Sequence, residues 1–137
     1  MDHKLKLMVV DDSPLFRTWL IRSLSEDDRF QVVGYAVNAL DAQEKIPLLQ
    51  PDMLTLDIEM PGMSGIEFLK QLLPVHPIPV ILVSSLNLRV FDALEAGAVD
   101  FVRKPDEANG LSKEIFLSML RSKLLVAAAS HVHLPSV

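Results

Sequence analysis

The chain has 137 residues, half of them hydrophobic and 23% charged, a balance that supports one domain with a buried core and excludes a disordered chain. Its formal net charge of −5, from 18 acidic and 13 basic residues, argues against a chain that itself grips nucleic acid. It has no cysteine, hence no disulfide or thiolate metal ligand, and no apolar leader or stretch of the ~18 residues that span a bilayer, so neither export nor membrane insertion is expected and a cytoplasmic location is.

Short apolar runs alternate five times with amphipathic stretches. Strands are expected at residues 5–10, 31–36, 53–57, 80–84 and 100–102. The first helix opens on Ser13 as N-cap with Pro14 at the first helical position, and Phe16, Trp19, Leu20 and Leu24 form its apolar stripe. The second follows Asn38 and carries Ala39, Leu40, Ala42 and Ile46; Pro47 should end or kink it, because proline lacks the N–H donor. The third runs from about Gly65 through Phe68, Leu69 and Leu72 to Pro74. The fourth is expected to turn Val90, Phe91 and Leu94 inward and to close on Gly97 as a left-handed cap. The fifth follows Gly110 with Ser112 as cap, and places Ile115, Phe116, Met119 and Leu120 on one side. Residues 1–127 then make one domain, and 128–137 read as a linker or truncated tail.

Strict strand–helix alternation with short connections implies an α/β, doubly wound fold: a parallel sheet covered on both faces, with right-handed crossovers. Ligands of such sheets bind beyond the carboxyl ends of the strands. Asp11, Asp12, Asp57, Ser84 and Lys104 all fall at such ends. Three carboxylates gathered there repel one another unless a cation sits among them, and a hard, all-oxygen site suits Mg²⁺ (or Mn²⁺). Lys104 adds a mobile positive charge, which completes a set suited to a phosphoryl group. Taken singly the residues say less: Asp11 and Asp12 could cap the helix at Pro14, Lys104 could be solvated, and Ser84 alone means little. Their convergence on one rim carries the reading. His3, His76, His131 and His133 do not make a metal set, and Met60 and Met63 flank a turn that they shape.

Val9-Val10-Asp11-Asp12-Ser13, Leu56-Asp57-Ile58-Glu59-Met60-Pro61-Gly62-Met63-Ser64-Gly65, Val83-Ser84-Ser85 and Val102-Arg103-Lys104-Pro105 occur in order, and this set resembles the response-regulator receiver domain over about residues 5–127. The resemblance implies a flavodoxin-like (βα)5 sandwich with strand order 2-1-3-4-5. It implies that Asp57 accepts a phosphoryl group from a histidine kinase. Asp11 and Asp12 would position Mg²⁺ together with Asp57 and a backbone carbonyl near Glu59, while Lys104 and Ser84 would contact the phosphoryl oxygens. It also implies a switch, in which Ser84 moves toward phosphate, Phe101 turns inward, and the face made by the fourth helix, fifth strand and fifth helix changes.

The runs Val80-Ile81-Leu82-Val83-Ser84-Ser85-Leu86 and Ala96-Gly97-Ala98-Val99-Asp100-Phe101, with Thr55-Leu56-Asp57-Ile58-Glu59-Met60-Pro61-Gly62-Met63, are most similar to receivers of chemotaxis protein-glutamate methylesterases. That similarity implies a chemotaxis-type histidine kinase as partner, and a C-terminal hydrolase effector, outside this chain, that acts on chemoreceptors. This chain has no Gly-x-Ser-x-Gly elbow, so no catalysis is expected of it beyond its own phosphorylation and dephosphorylation. Other readings are a stand-alone receiver, a receiver attached to a DNA-binding domain, and an aspartyl phosphatase or phosphotransferase for a small substrate. The last would need a substrate cap, and the short loops leave no insertion for one.

Overall fold

Five strands carry the apolar runs: β1 (Leu5–Val10), β2 (Phe30–Ala36), β3 (Met53–Leu56), β4 (Val80–Ser84) and β5 (Asp100–Arg103). The structure, a computed structural model, describes residues 4–85 and 90–132. Neighbouring strands pair parallel in the order β2-β1-β3-β4-β5, the expected doubly wound sheet. The helices are α1 (Pro14–Ser25), α2 (Ala39–Leu49), α3 (Gly65–Leu72), α4 (Val90–Glu95) and α5 (Lys113–Val132). Among the described residues no helix is long and apolar enough to cross a membrane.

Successive strand residues face opposite sides, so each apolar run feeds two cores. Leu7, Val9, Met53, Ile81, Val83 and Val102 pack with Leu20 and Leu24 of α1 and Phe116, Leu120 and Leu124 of α5. Met8, Val10, Leu54, Leu56, Val80 and Leu82 pack instead with Ala42 and Ile46 of α2 and Phe68, Leu69 and Leu72 of α3. Every residue of the two central strands, β3 and β4, is buried, which is why both read as continuous apolar runs.

Helix entry follows the capping residues. The Ser13 hydroxyl accepts from the Phe16 N–H with Pro14 in the first turn, and the Asn38 side chain accepts from the Asp41 N–H. Ser64 and Glu67 form a reciprocal capping box on α3. Ser112 caps α5 through the Ile115 N–H. Gly97, at φ +114°, takes the left-handed conformation expected of it.

Several sequence expectations are corrected. Pro47 does not end α2: the helix runs two residues on to Leu49 and closes at Gln50, which adopts φ 49° and donates its N–H to the Ile46 carbonyl. Proline so near the end forfeits a single backbone bond, to a helix already anchored by Ala39, Ala42 and Ile46. Leu40 is 66% exposed and lies off that apolar face. On α4 it is Ala93 that is buried, while Phe91 is 83% exposed and Leu94 also reaches solvent; the side chain of Val90 lies outside what is described. On α5, Phe116 and Leu120 are buried, but Ile115 and Met119 are exposed beside them. His131 and Val132 belong to the last turn of α5, which continues past residue 127, whereas His3 and residues 133–137 of the expected tail lie outside the described residues.

Phe116 is fully buried, with its ring edge-on to Phe16 and tilted against Trp19 at centroid distances of 5.8 and 5.9 Å. Phe116→Ala leaves a cavity between α1, α5 and the sheet, and should lower stability in urea unfolding by about 3–5 kcal/mol. A loss below about 1 kcal/mol would mean that α5 does not depend on this core.

Candidate functional site

The carboxyl edge of the sheet gathers side chains from four strand ends. Asp11 and Asp12 follow β1, Asp57 follows β3, Ser84 is the last residue of β4, and Lys104 follows β5. Strand pairing fixes their relative heights. Val10 is level with Leu56, so Asp11 and Asp57 emerge side by side, and the Asp57 N–H donates to the Val10 carbonyl at 3.0 Å. Ser84 is level with Arg103, which brings Lys104 over the same rim, and the Lys104 N–H donates to the Ser84 carbonyl at 2.9 Å.

One carboxylate oxygen from each of Asp11, Asp12 and Asp57 lies within 4.8 Å of the others. Asp11 is 2% exposed and Asp57 4%. The Lys104 Nζ sits 2.9 Å from Asp11 Oδ2 and 3.5 Å from Asp57 Oδ2. Two backbone donors hold the carboxylates in place, the Ser13 N–H on Asp11 Oδ1 at 2.8 Å and the Glu59 N–H on Asp57 Oδ1 at 3.2 Å. A cleft lined by Asp12, Ile58, Glu59, Met60, Pro61, Gly62, Ser64 and Glu67 opens beside them, roomy enough for a small anion and its water.

Burial pushes the Asp57 carboxyl up to about 6. Lys104 pulls against that rise, Asp11 reinforces it, the Glu59 N–H opposes it, and Asp12 adds to it. Three clustered oxygen donors, one of them buried enough to favour its protonated form, are the chemistry of a site for a hard divalent cation. The donor set therefore fits Mg²⁺, with Asp11, Asp12 and Asp57 as the side chains that could hold it.

The structure brings together Asp11, Asp12, Asp57 and Lys104, as the sequence led one to expect. Ser84 is buried beneath the rim, in line with Lys104. Glu59 is exposed, and it reaches Asp57 through its backbone N–H. Phe101 is partly buried on β5 opposite Leu82, with the Lys123 ammonium 5.3 Å from its ring centre and bonded to its carbonyl at 2.8 Å.

Three supporting residues escaped the sequence reading. The Arg17 guanidinium donates to the Asp11 carbonyl at 2.9 Å while lying 4.7 Å over the Tyr35 ring. Phe16, read only as part of an apolar stripe, has the Lys104 ammonium 4.5 Å from its ring centre. Gly65 lets α3 approach the site, since a Cβ there would stand 2.4 Å from the Asp57 carbonyl oxygen. Of these, only the glycine at a helix start carries a signal in the sequence.

In metal-free protein, Asp57 titrates near 6 when folded and near 3.8 when unfolded, so between those values the folded state holds the extra proton and stability falls as pH rises. Asp57→Asn should remove that fall and leave the variant the more stable form at pH 7–8. Urea midpoints from pH 4 to 8 in the presence of a chelator test this. Parallel profiles for the two proteins would contradict it.

Comparison with known proteins adds a family match, two curated relatives and two solved structures. The family described as response regulator receiver domain matches residues 7–116. A protein-glutamate methylesterase/protein-glutamine glutaminase 2 of Syntrophomonas wolfei is 46% identical over 130 residues, covering 95% of this chain and 38% of that protein. The Vibrio vulnificus protein of the same description is 43% identical over 136 residues, covering 96% and 39%. The chain thus spans about two-fifths of the length of these curated relatives. Among solved structures, the response regulator domain of Thermotoga maritima CheB superposes with a TM-score of 0.82 at 37% identity, covering 93% of this chain and 98% of that one. A structure of the P1 domain of CheA3 in complex with CheY6 from R. sphaeroides matches with a TM-score of 0.74 at 28% identity, covering 91% and 97%.

Proposed function

This chain belongs to the response regulator receiver family, with the receivers of protein-glutamate methylesterases among its relatives, and from that premise we propose that Asp57 is the carboxylate that takes a phosphoryl group from a histidine kinase. The domain is a receiver of two-component signalling. The observation that carries the assignment of Asp57 is its position: a buried carboxylate held against two others and one ammonium, beside an open cleft.

The chemistry asks for placement and charge balance more than for acid–base help. A carboxylate oxygen of Asp57 attacks the phosphorus of a phosphohistidine. The P–N bond breaks with its electron pair going to the imidazole nitrogen, which takes up a proton, and an acyl phosphate forms on Asp57. Asp11, Asp12, Asp57 and the backbone carbonyl of Glu59 would hold Mg²⁺ (or Mn²⁺), which would supply positive charge to keep Asp57 ionised and offset the phosphoryl oxygens. Lys104 exchanges its contact with Asp57 for one with a phosphoryl oxygen, and the Ser84 hydroxyl donates to another. The Glu59 side chain, exposed at the mouth, sets by its charge how readily water approaches the acyl phosphate.

Output follows from the same contacts. Movement of Ser84 toward phosphate opens space for the Phe101 ring, already partly buried, and its further burial, worth a fraction of the roughly 1.5–3 kcal/mol that full burial releases, biases two packings of the face made by α4, β5 and α5. That face already exposes Phe91, Ile115 and Met119. By analogy with the methylesterase relatives, residues 1–127 form the receiver, and 128–137 lead toward an effector domain that acts on chemoreceptors in the cytoplasm under a chemotaxis-type kinase. The reading with a DNA-binding effector is less favoured, since the curated relatives named above are methylesterases.

Incubation with acetyl phosphate and Mg²⁺, followed by intact mass, tests the proposal. The unsubstituted chain should gain one phosphoryl group and Asp57→Ala none. Equal labelling of both would move the acceptor elsewhere.

A further inference from the structure

Lys104 has three partners at the rim: two carboxylates and the face of Phe16, whose ring centre lies 4.5 Å from its Nζ. That ring is not free to turn away. It packs at 5.7 Å against Trp19 and edge-on at 5.8 Å against Phe116, which is fully buried. Phe16 also sits in the first turn of α1, whose start is fixed by the Ser13 cap on the loop that carries Asp11 and Asp12. The ring face is therefore held at a set height beside the acidic cluster.

The three attractions do not respond alike to a divalent cation. A divalent cation among Asp11, Asp12 and Asp57 cancels two of their three negative charges and itself repels the ammonium, so the pull that draws Lys104 inward weakens. The negative face of an aromatic ring is untouched by that neutralisation. We infer that Phe16 is a positioning residue for Lys104: its ring helps retain the ammonium at the rim in the metal-loaded receiver, where the carboxylates hold it less strongly. This rests on the reading of Asp57 as phosphoacceptor, because the retained ammonium is the one that meets the arriving phosphoryl group. In the metal-free chain the two salt bridges dominate, so the effect of losing the ring is largest with Mg²⁺ bound.

Two measurements on the full chain test the inference. In Mg²⁺-saturated protein, the Lys104 side-chain methylene protons beside Nζ should resonate upfield through the ring current of Phe16, and Phe16→Leu should abolish that shift; their absence from the ring's influence in the unsubstituted, Mg²⁺-saturated chain overturns the inference whatever the phosphorylation assay gives. With acetyl phosphate at saturating Mg²⁺, Phe16→Leu should slow phosphorylation of Asp57 about 3–10-fold while Mg²⁺ affinity stays within about twofold, and Phe16→Tyr, which keeps a ring face, should keep the rate. In a Lys104→Met background the same Phe16→Leu change should have no further effect on rate. An equal slowing in both backgrounds, or a matching loss of Mg²⁺ affinity, would reduce Phe16 to a packing residue. Failure of the unsubstituted chain to take up phosphate at all would count against the acceptor reading alone, and leave the resonance shift to decide the role of Phe16.

Discussion

Like charges held in a dry place govern this molecule. Asp11 and Asp57 are nearly inaccessible to water, Asp12 stands beside them, and an oxygen from each lies within 4.8 Å of the other two. In water such neighbours would repel weakly, but at the closed rim of a sheet the repulsion is several-fold larger. Burial first, and then the charges of Asp11 and Asp12, push the Asp57 carboxyl up to about 6 although the Lys104 ammonium pulls it down. A fold that spends stability on such a cluster does so for a ligand that relieves it. Under the proposed function, a cation and then a phosphoryl group would each change what Lys104 is attracted to.

The rest of the architecture keeps that cluster from dispersing. β1 and β3 are hydrogen-bonded neighbours with Val10 level with Leu56, so neither Asp11 nor Asp57 can retreat without breaking the sheet. Backbone N–H groups of Ser13 and Glu59 pin the two carboxylates, and Arg17 ties the Asp11 carbonyl to the ring of Tyr35. Gly65 allows α3 to start against the Asp57 backbone, closing the remaining side. Two independent cores, one on each face, hold the strands rigid beneath the rim.

The sheet and the acidic rim were legible in the sequence for a shared reason. Buried parallel strands such as Met53–Leu56 and Val80–Ser84 are apolar along nearly their whole length, so the polar residue that ends each run, Asp57 after the first and Ser84 in the second, marks where the chain reaches the rim. Capping residues Ser13, Asn38 and Ser112 fixed helix starts equally well. What the sequence concealed depends on contacts between elements. In a helix as short as Val90–Glu95 the apolar spacing does not say which face turns inward, and Phe91 points to solvent while Ala93 packs. Pro47 was misjudged because its effect depends on how firmly the rest of α2 is anchored. The links from Arg17 to Asp11 and from Phe16 to Lys104 join residues 6 and 88 positions apart, distances that no local pattern encodes.

If a cation stabilises the ionised form of Asp57 in this buried cluster, binding must expel the proton that burial and the neighbouring carboxylates favour. Calorimetry of Mg²⁺ binding in two buffers of different ionisation enthalpy reads this directly. Close to the Asp57 value of about 6, binding should release roughly half a proton per chain, and at pH 8 almost none. Binding with no proton release at either pH, or with the same release in Asp57→Asn, would contradict the account.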